Sequence, residues 1–411
     1  MHLQNLFKKN KLLFSYGFVE GIAKGLNVLS ILSLAIFASI NTYAQLAIFI
    51  ICELMLVELI LFGQHNVALR FINIDKENVK NVITSCTQIT SIVFILVFLV
   101  SSFIPSDLFI KVFQFDLKSN FLLLTIGSFL TALVNLNLYR LRKEEKFESY
   151  FNLRLIYQTT KFLFVVILIY FYDNSVIYPV SLILSSACAI VYSTIKFDVF
   201  SYINHIFKSS YQFKHLNFGL PLMLHALSGV LYSQIDKLLL NSLIGSKELA
   251  IYHFNLTLGT LSFFIINVSA LYFTPKIYNS DSYNDLSKKY LNNFLKISII
   301  GSILFSLVII FVFYPSISFF ISNEYYQGKN ILYLSCFYII ISAFSNYAVY
   351  KATAMKKVNI IPFITFSSLI MAIILNSTLI PIYSFYGAII SLICCEIFLS
   401  ISLLTWLKKY E

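Results

Sequence analysis

The chain has 411 residues, 58% of them hydrophobic and only 12% charged, with a mean hydropathy of +0.80. That composition excludes a water-soluble domain of this size, and no polar stretch approaches the ~50 residues that a minimal separate domain needs. The net charge of +11 would suggest nucleic acid in a soluble protein; here its placement beside apolar segments gives another explanation.

Apolar segments recur over residues 12–39, 43–69, 82–104, 119–139, 151–172, 177–195, 217–241, 249–273, 291–314, 330–350, 359–380 and 386–407. At about 1.5 Å per residue, such segments are long enough to cross a bilayer core of about 30 Å. The spacing predicts an all-α polytopic membrane protein of twelve transmembrane helices. The first segment follows the basic stretch LFKKNKL but carries Glu20 and Lys24 and lacks a small-x-small cleavage site, so a retained helix is expected rather than a signal peptide.

Within this first helix, Gly17, Gly21 and Gly25 recur every four residues and permit close approach of a neighbouring backbone. Glu20, Lys24 and Asn27 lie beside that stripe, and Glu20–Lys24 has the favourable i, i+4 order for an intrahelical ion pair. A self-neutralised structural pair and a transport role are equally open. The second helix carries Glu53, Glu58, Gln64 and His65, with Glu53 on the face of Gln64 and Glu58 on the face of His65. Ionisable groups are costly against lipid, so these faces should meet protein or water. A carboxylate with a nearby His is also what proton coupling needs. On the fifth helix Arg154, Gln158 and Lys161 share a face, with Lys161 about 10 Å deeper than Arg154. The sixth segment, beginning Tyr178-Pro179, is short.

Residues 196–214, KFDVFSYINHIFKSSYQFK, form the expected linker, either a short interfacial helix or a plain tether. The seventh and eighth segments form a helical hairpin around Gly245-Ser246-Lys247-Glu248. Pro221, His225, Ser228, Tyr232 and Asp236 share one face of the seventh, with Lys237 next to Asp236. His253, Thr257, Thr260, Phe264 and Asn267 form a similar row on the eighth. Interhelical hydrogen bonding explains most of such a row. Asp236 is equally open to a functional role. Glu396, in the last helix, has no evident partner in sequence, so a lysine or a bound cation is expected beside it.

Placing the N-terminus in the cytoplasm puts most of the 30 basic residues in the inside segments, leaving Lys111, Lys118, Lys247 and Lys329 outside and Lys24, Lys161 and Lys237 within helices. This asymmetry predicts cytoplasmic termini and needs no nucleic acid to explain the charge. The chain also reads as two copies of one unit. A shift of 206 residues lays Thr42-Tyr43-Ala44 over Glu248-Leu249-Ala250 and Arg70 over Lys276. Six helices per copy predict parallel repeats, two six-helix bundles around a central cavity. The expected bundles are residues 1–200 and 216–411, joined by 201–215. The six cysteines all lie in apolar segments without CxxC spacing and are expected to be small buried hydrophobes. Neither metal-binding nor catalytic motifs are found, including Walker, HExxH and GxSxG patterns.

The stretch GLPLMLHALSGVLYSQIDKLLLNSLIG, followed by ELAIYHFNLTL and YFTPKIY, resembles the start of the second half of bacterial polysaccharide flippases. That family lies within the multidrug/oligosaccharidyl-lipid/polysaccharide exporter superfamily. The shared pattern is Pro-Leu near the helix start, Asp-Lys near its end, a Gly-containing turn and a Tyr opening the next helix; Ala250 departs from the usual Gly. The resemblance implies a flippase, not an enzyme, that moves an undecaprenyl-diphosphate-linked oligosaccharide across the bacterial inner membrane for O-antigen, capsule or a related glycan.

On that reading the diphosphate and glycan would meet Lys24, Lys161, Lys237, His225, Asn27 and Gln158. Glu20, Glu53, Glu58, Asp236 and Glu396 are the candidates for ion pairing or coupling to a proton or sodium gradient, with no cofactor. Expected partners are membrane lipids and polysaccharide polymerase machinery. A cation-coupled multidrug exporter of the same superfamily stays open because of the acidic residues. A membrane polymerase is disfavoured by the short outside connections near residues 105–118 and 315–329.

Overall fold

The computed structural model describes residues 11–71, 79–113, 118–144, 146–197, 213–278, 285–355, 357 and 359–410. Every regular element among them is a helix. The first half contains α1 (Lys11–Phe37), α2 (Ile40–Leu61), α3 (Gln64–Phe71), α4 (Val79–Phe103), α5 (Ser106–Phe113), α6 (Lys118–Lys143), α7 (Phe147–Phe171) and α8 (Ile177–Phe197). The second contains α9 (Phe213–Leu243), α10 (Ser246–Gly259), α11 (Phe263–Tyr278), α12 (Asp285–Val308), α13 (Tyr314–Ser318), α14 (Lys329–Ala354), α15 (Ile360–Tyr383) and α16 (Phe385–Leu407). Twelve spans in this set are long and apolar enough to cross a membrane, in the places the hydropathy pattern predicts. Backbone groups cannot meet water inside hydrocarbon, so apolar runs of this length close their hydrogen bonds internally as helices.

The expected second helix is corrected: residues 43–69 are not one rod. The helix stops at Leu61, Phe62 adopts a left-handed conformation with φ 50°, Gly63 follows at φ 70°, and α3 starts at Gln64. Gly63 packs against the backbone of Gly219, whose carbonyl oxygen occupies the space that a Cβ on Gly63 would need. A Cβ on Gly219 would in turn lie 2.6 Å from the Phe62 carbonyl oxygen and 2.6 Å from Gln64 Nε2. Two glycines therefore allow a helix break and a helix to touch. With this break between them, the shared faces expected of Gln64 and His65 with Glu53 and Glu58 on one continuous helix no longer follow.

The eighth span is likewise interrupted, by a 3₁₀ turn at Thr260–Ser262 between α10 and α11. The ninth continues from α12 through a π turn at Ile309–Phe313 into α13, whose Pro315 has no N–H for the helical ladder. Pro221 is accommodated inside α9.

Two compact units are distinguished, Ile22–Val230 in one and Met1–Gly21 with Leu231–Glu411 in the other. The divisions fall within α1 and α9. Of the expected linker, residues 198–212 lie outside the described residues. In the Ile22–Val230 unit α6 packs on α8 and α4, and α7 on α8, around a core that includes Val134, Leu138, Leu153, Tyr157 and Ala189. In the other, α14, α15 and α16 enclose Ala348, Leu369, Ala372, Cys395 and Leu403.

Small residues mark several close contacts. Ser298, Ser302 and Ser306, four apart, are all buried on α12. In the glycine stripe of α1, a Cβ on Gly21 would lie 3.0 Å from the Phe264 ring, whereas Gly25 faces open space. The six cysteines are unbridged, and Cys52, Cys86, Cys336 and Cys395 are buried.

Candidate functional site

Each unit holds its own cluster of buried polar side chains. In the Ile22–Val230 unit, α2 supplies Glu53, α7 supplies Lys161 and α8 supplies Tyr178, only 7%, 7% and 5% exposed respectively. Lys161 Nζ donates to Glu53 Oε1 and Oε2 at 3.2 and 3.1 Å and to the Tyr178 hydroxyl at 3.1 Å. Tyr178 donates its own proton to Glu53 Oε2. The ammonium also sits 4.9 Å from the Tyr178 ring centroid. All three side chains thus meet one another. In a low-dielectric interior this mutual satisfaction is what makes a buried charge pair tolerable.

Tyr157, one turn before Lys161 on α7, extends the cluster. Its hydroxyl lies 3.3 Å from Thr131 Oγ1, which lies 3.1 Å from Ser186 Oγ. Arg154 and Gln158, on the same side of α7 as Lys161, are half-buried, so the face runs from partly accessible groups to the sequestered ammonium.

In the other unit, α9 supplies Tyr232, Asp236 and Lys237. Lys237 Nζ is 3.3 Å from Asp236 Oδ1 and donates to the Ser233 carbonyl at 2.9 Å. Tyr252 of α10 donates to Asp236 Oδ2 at 2.5 Å. Glu396 of α16 accepts from the Tyr232 hydroxyl at 2.9 Å and from Ser345 of α14. Its side-chain partners among the described residues are thus hydroxyls rather than a lysine. Tyr338 lies near both Glu396 and Asp236.

The remaining candidates are placed apart from these contacts. Glu20 and Lys24 are half-buried and Asn27 is exposed on α1. Glu58 is half-buried on α2, and its buried Oε2 receives no hydrogen bond from the described residues. His65 is buried on α3 with Nε2 2.9 Å from Asn66 Nδ2 and its ring 5.0 Å from that of Tyr139. On α9, His225 is half-buried, with no hydrogen bond to its buried Nδ1 among the described residues. His253 is buried, but Thr257, Thr260, Phe264 and Asn267 of the same row are only half-buried. Among the described residues, no group of three or more His, Cys, Asp or Glu side chains could hold a metal ion.

Sequence reasoning missed Tyr178 as a partner and saw Tyr252 only as part of a motif. It did not single out Ser345 or Tyr338. Tyrosines near helix starts, in a chain whose carboxylates lie in apolar segments, are the signal that could have found the first two.

Twelve segments long and apolar enough to span a membrane, with charged groups buried inside each helical unit, define a multi-pass membrane protein. The sequence pattern of the polysaccharide biosynthesis protein family matches residues 11–275, and the chain belongs to that family. No curated protein matches in sequence.

The fold is that of solved transporters of the MOP superfamily. An inward-facing multidrug resistance MATE family transporter aligns with TM-score 0.74 and 14% identity over 93% of this chain and 92% of its own. An outward-facing MATE family transporter aligns with TM-score 0.70 and 14% identity over 97% and 94%. A MOP superfamily transporter from Pyrococcus furiosus Vc1 (DSM3638), described as having a binding pocket of reverse polarity that suggests a different function, aligns with TM-score 0.68 and 14% identity over 97% and 94%. The family is thus that of polysaccharide biosynthesis proteins, and the fold is one shared with solved transporters.

Proposed function

We propose that this protein is a flippase that carries an undecaprenyl-diphosphate-linked oligosaccharide unit from the inner to the outer leaflet of the bacterial inner membrane. The observation that carries the reading is the family match over residues 11–275 on a chain with a transporter fold. The glycan would serve O-antigen or another surface polysaccharide, and alternating access would move the head while the prenyl tail stays in lipid. Both termini face the cytoplasm in this reading, because the basic residues concentrate in the connections on that side.

The chemistry of the polar clusters is compatible with the cargo. A diphosphate needs cationic hydrogen-bond donors, and Lys161 and Lys237 are buried donors within the helical units. Lys24, Asn27, Gln158 and His225 are the partly accessible groups that would meet the head on its way. Glu20, Glu53, Glu58, Asp236 and Glu396 are the groups available for coupling to a proton or sodium gradient.

The test is the amount and sidedness of the lipid-linked glycan unit in cells lacking the gene. Complete units trapped on the cytoplasmic face and released on complementation support the flippase. Single units that reach the outer face unpolymerised point to a polymerase, and unchanged glycan with altered drug accumulation points to a multidrug exporter.

A further inference from the structure

Lys161 is already occupied. An ammonium has three N–H donors, and those of Lys161 are directed to the two oxygens of Glu53 and to the Tyr178 hydroxyl. Tyr178 closes the ring by donating to Glu53. An anionic headgroup can therefore reach this lysine only by exchange, displacing Glu53. Resting on the flippase reading, we infer that Glu53 and Tyr178 are specificity-determining residues, an internal competitor that admits a lipid diphosphate to Lys161 and rejects singly charged phosphodiester lipids.

The reason is a comparison of ligands for the same ammonium. Glu53 offers one negative charge and two acceptor oxygens, held in place by packing and by the Tyr178 hydroxyl. Any anionic headgroup must give up hydration and leave Glu53 without its cation, and a phosphodiester offers only one charge in return. Exchange is then uphill. A diphosphate diester brings two charges and more acceptor oxygens to the same site, and charge-assisted hydrogen bonds strengthen accordingly. Gln158 and Arg154 are half-buried on the same side of α7. A bilayer presents singly charged phospholipids in large excess over the cargo, so an unoccupied lysine here would be saturated by them.

The experiment uses two undecaprenyl glucosides that differ only in linkage, one through a diphosphate and one through a monophosphate, added together to the purified full-length protein in detergent. Native mass spectrometry reads the ratio of bound species. Wild type should prefer the diphosphate by about tenfold or more, the equivalent of one hydrogen bond to a charged group. Glu53→Gln should bring the two ligands to near parity by increasing monophosphate binding, and Lys161→Gln should lose the diphosphate.

Tyr178→Phe keeps the ion pair and is the variant that decides if Glu53→Gln does not yield monodisperse protein; it should narrow the preference partway. An unchanged ratio in the folded variants would overturn the competitor role while leaving the substrate reading intact. Failure of wild type to bind either glucoside would overturn both.

Discussion

At the scale of single residues, the buried carboxylates Glu53 and Glu396 are held very differently. Glu53 and Lys161 neutralise each other within hydrogen-bond distance, whereas Glu396 is met by hydroxyls of Tyr232 and Ser345. Removing one member of a buried pair strands the other charge, and that costs about 3–5 kcal/mol; removing both costs much less. Lys161→Gln should therefore lower the apparent melting temperature in detergent sharply, and the double variant Glu53→Gln/Lys161→Gln should regain most of the loss. Two equally destabilised variants would show that packing rather than the ion pair dominates. The candidate charges themselves were legible in the sequence, because an acid or a lysine in an apolar run announces itself. Their partners were not, since Glu53 lies 108 positions from Lys161 and 125 from Tyr178 in the chain.

Elements show where apolar patterning stops being informative. Hydropathy locates a span but does not register a change of backbone conformation inside or at the end of it, as at Phe62-Gly63 and at Thr260–Ser262. Gly63→Ala should destabilise by about 1–2 kcal/mol for the left-handed backbone, with about 1–3 kcal/mol more for the collision with Gly219. Thermal unfolding of the variant beside Gly25→Ala, which meets nothing within 4 Å, separates this from helix propensity.

A second device of this kind is Asn255 of α10. Its Nδ2 donates to the Tyr325 carbonyl at 2.9 Å and ties down the 3₁₀ segment Asn323–Gly328 ahead of α14, with Tyr325 itself only 1% exposed. Asn255→Ala leaves that buried carbonyl short of a donor, at a cost of about 1–3 kcal/mol. It should speed amide hydrogen exchange over residues 323–328 and leave α16 unchanged; equal exchange in both proteins would rule out this tie.

For the whole molecule, the orientation is the property most directly set by charge. The basic residues in the connections predict that Lys247 lies outside and Lys357 inside. With the six native cysteines replaced, Lys247→Cys should react with an impermeant maleimide in intact cells, and Lys357→Cys only after permeabilisation. The reverse labelling pattern would invert the topology and with it the direction proposed for transport.

Composition and period alone determined that this chain is a polytopic helical membrane protein with twelve spans, because a bilayer leaves a long apolar segment no alternative to a self-satisfied helix. The motif between Gly219 and Tyr278 carried the likeness to the polysaccharide flippases. Tertiary structure alone decided which charges are paired, that Glu396 is met by hydroxyls, and that Gly63 and Gly219 let the chain bend and touch. Those outcomes depend on side chains brought together from distant helices, and hydropathy averages over the very directions in which those side chains point.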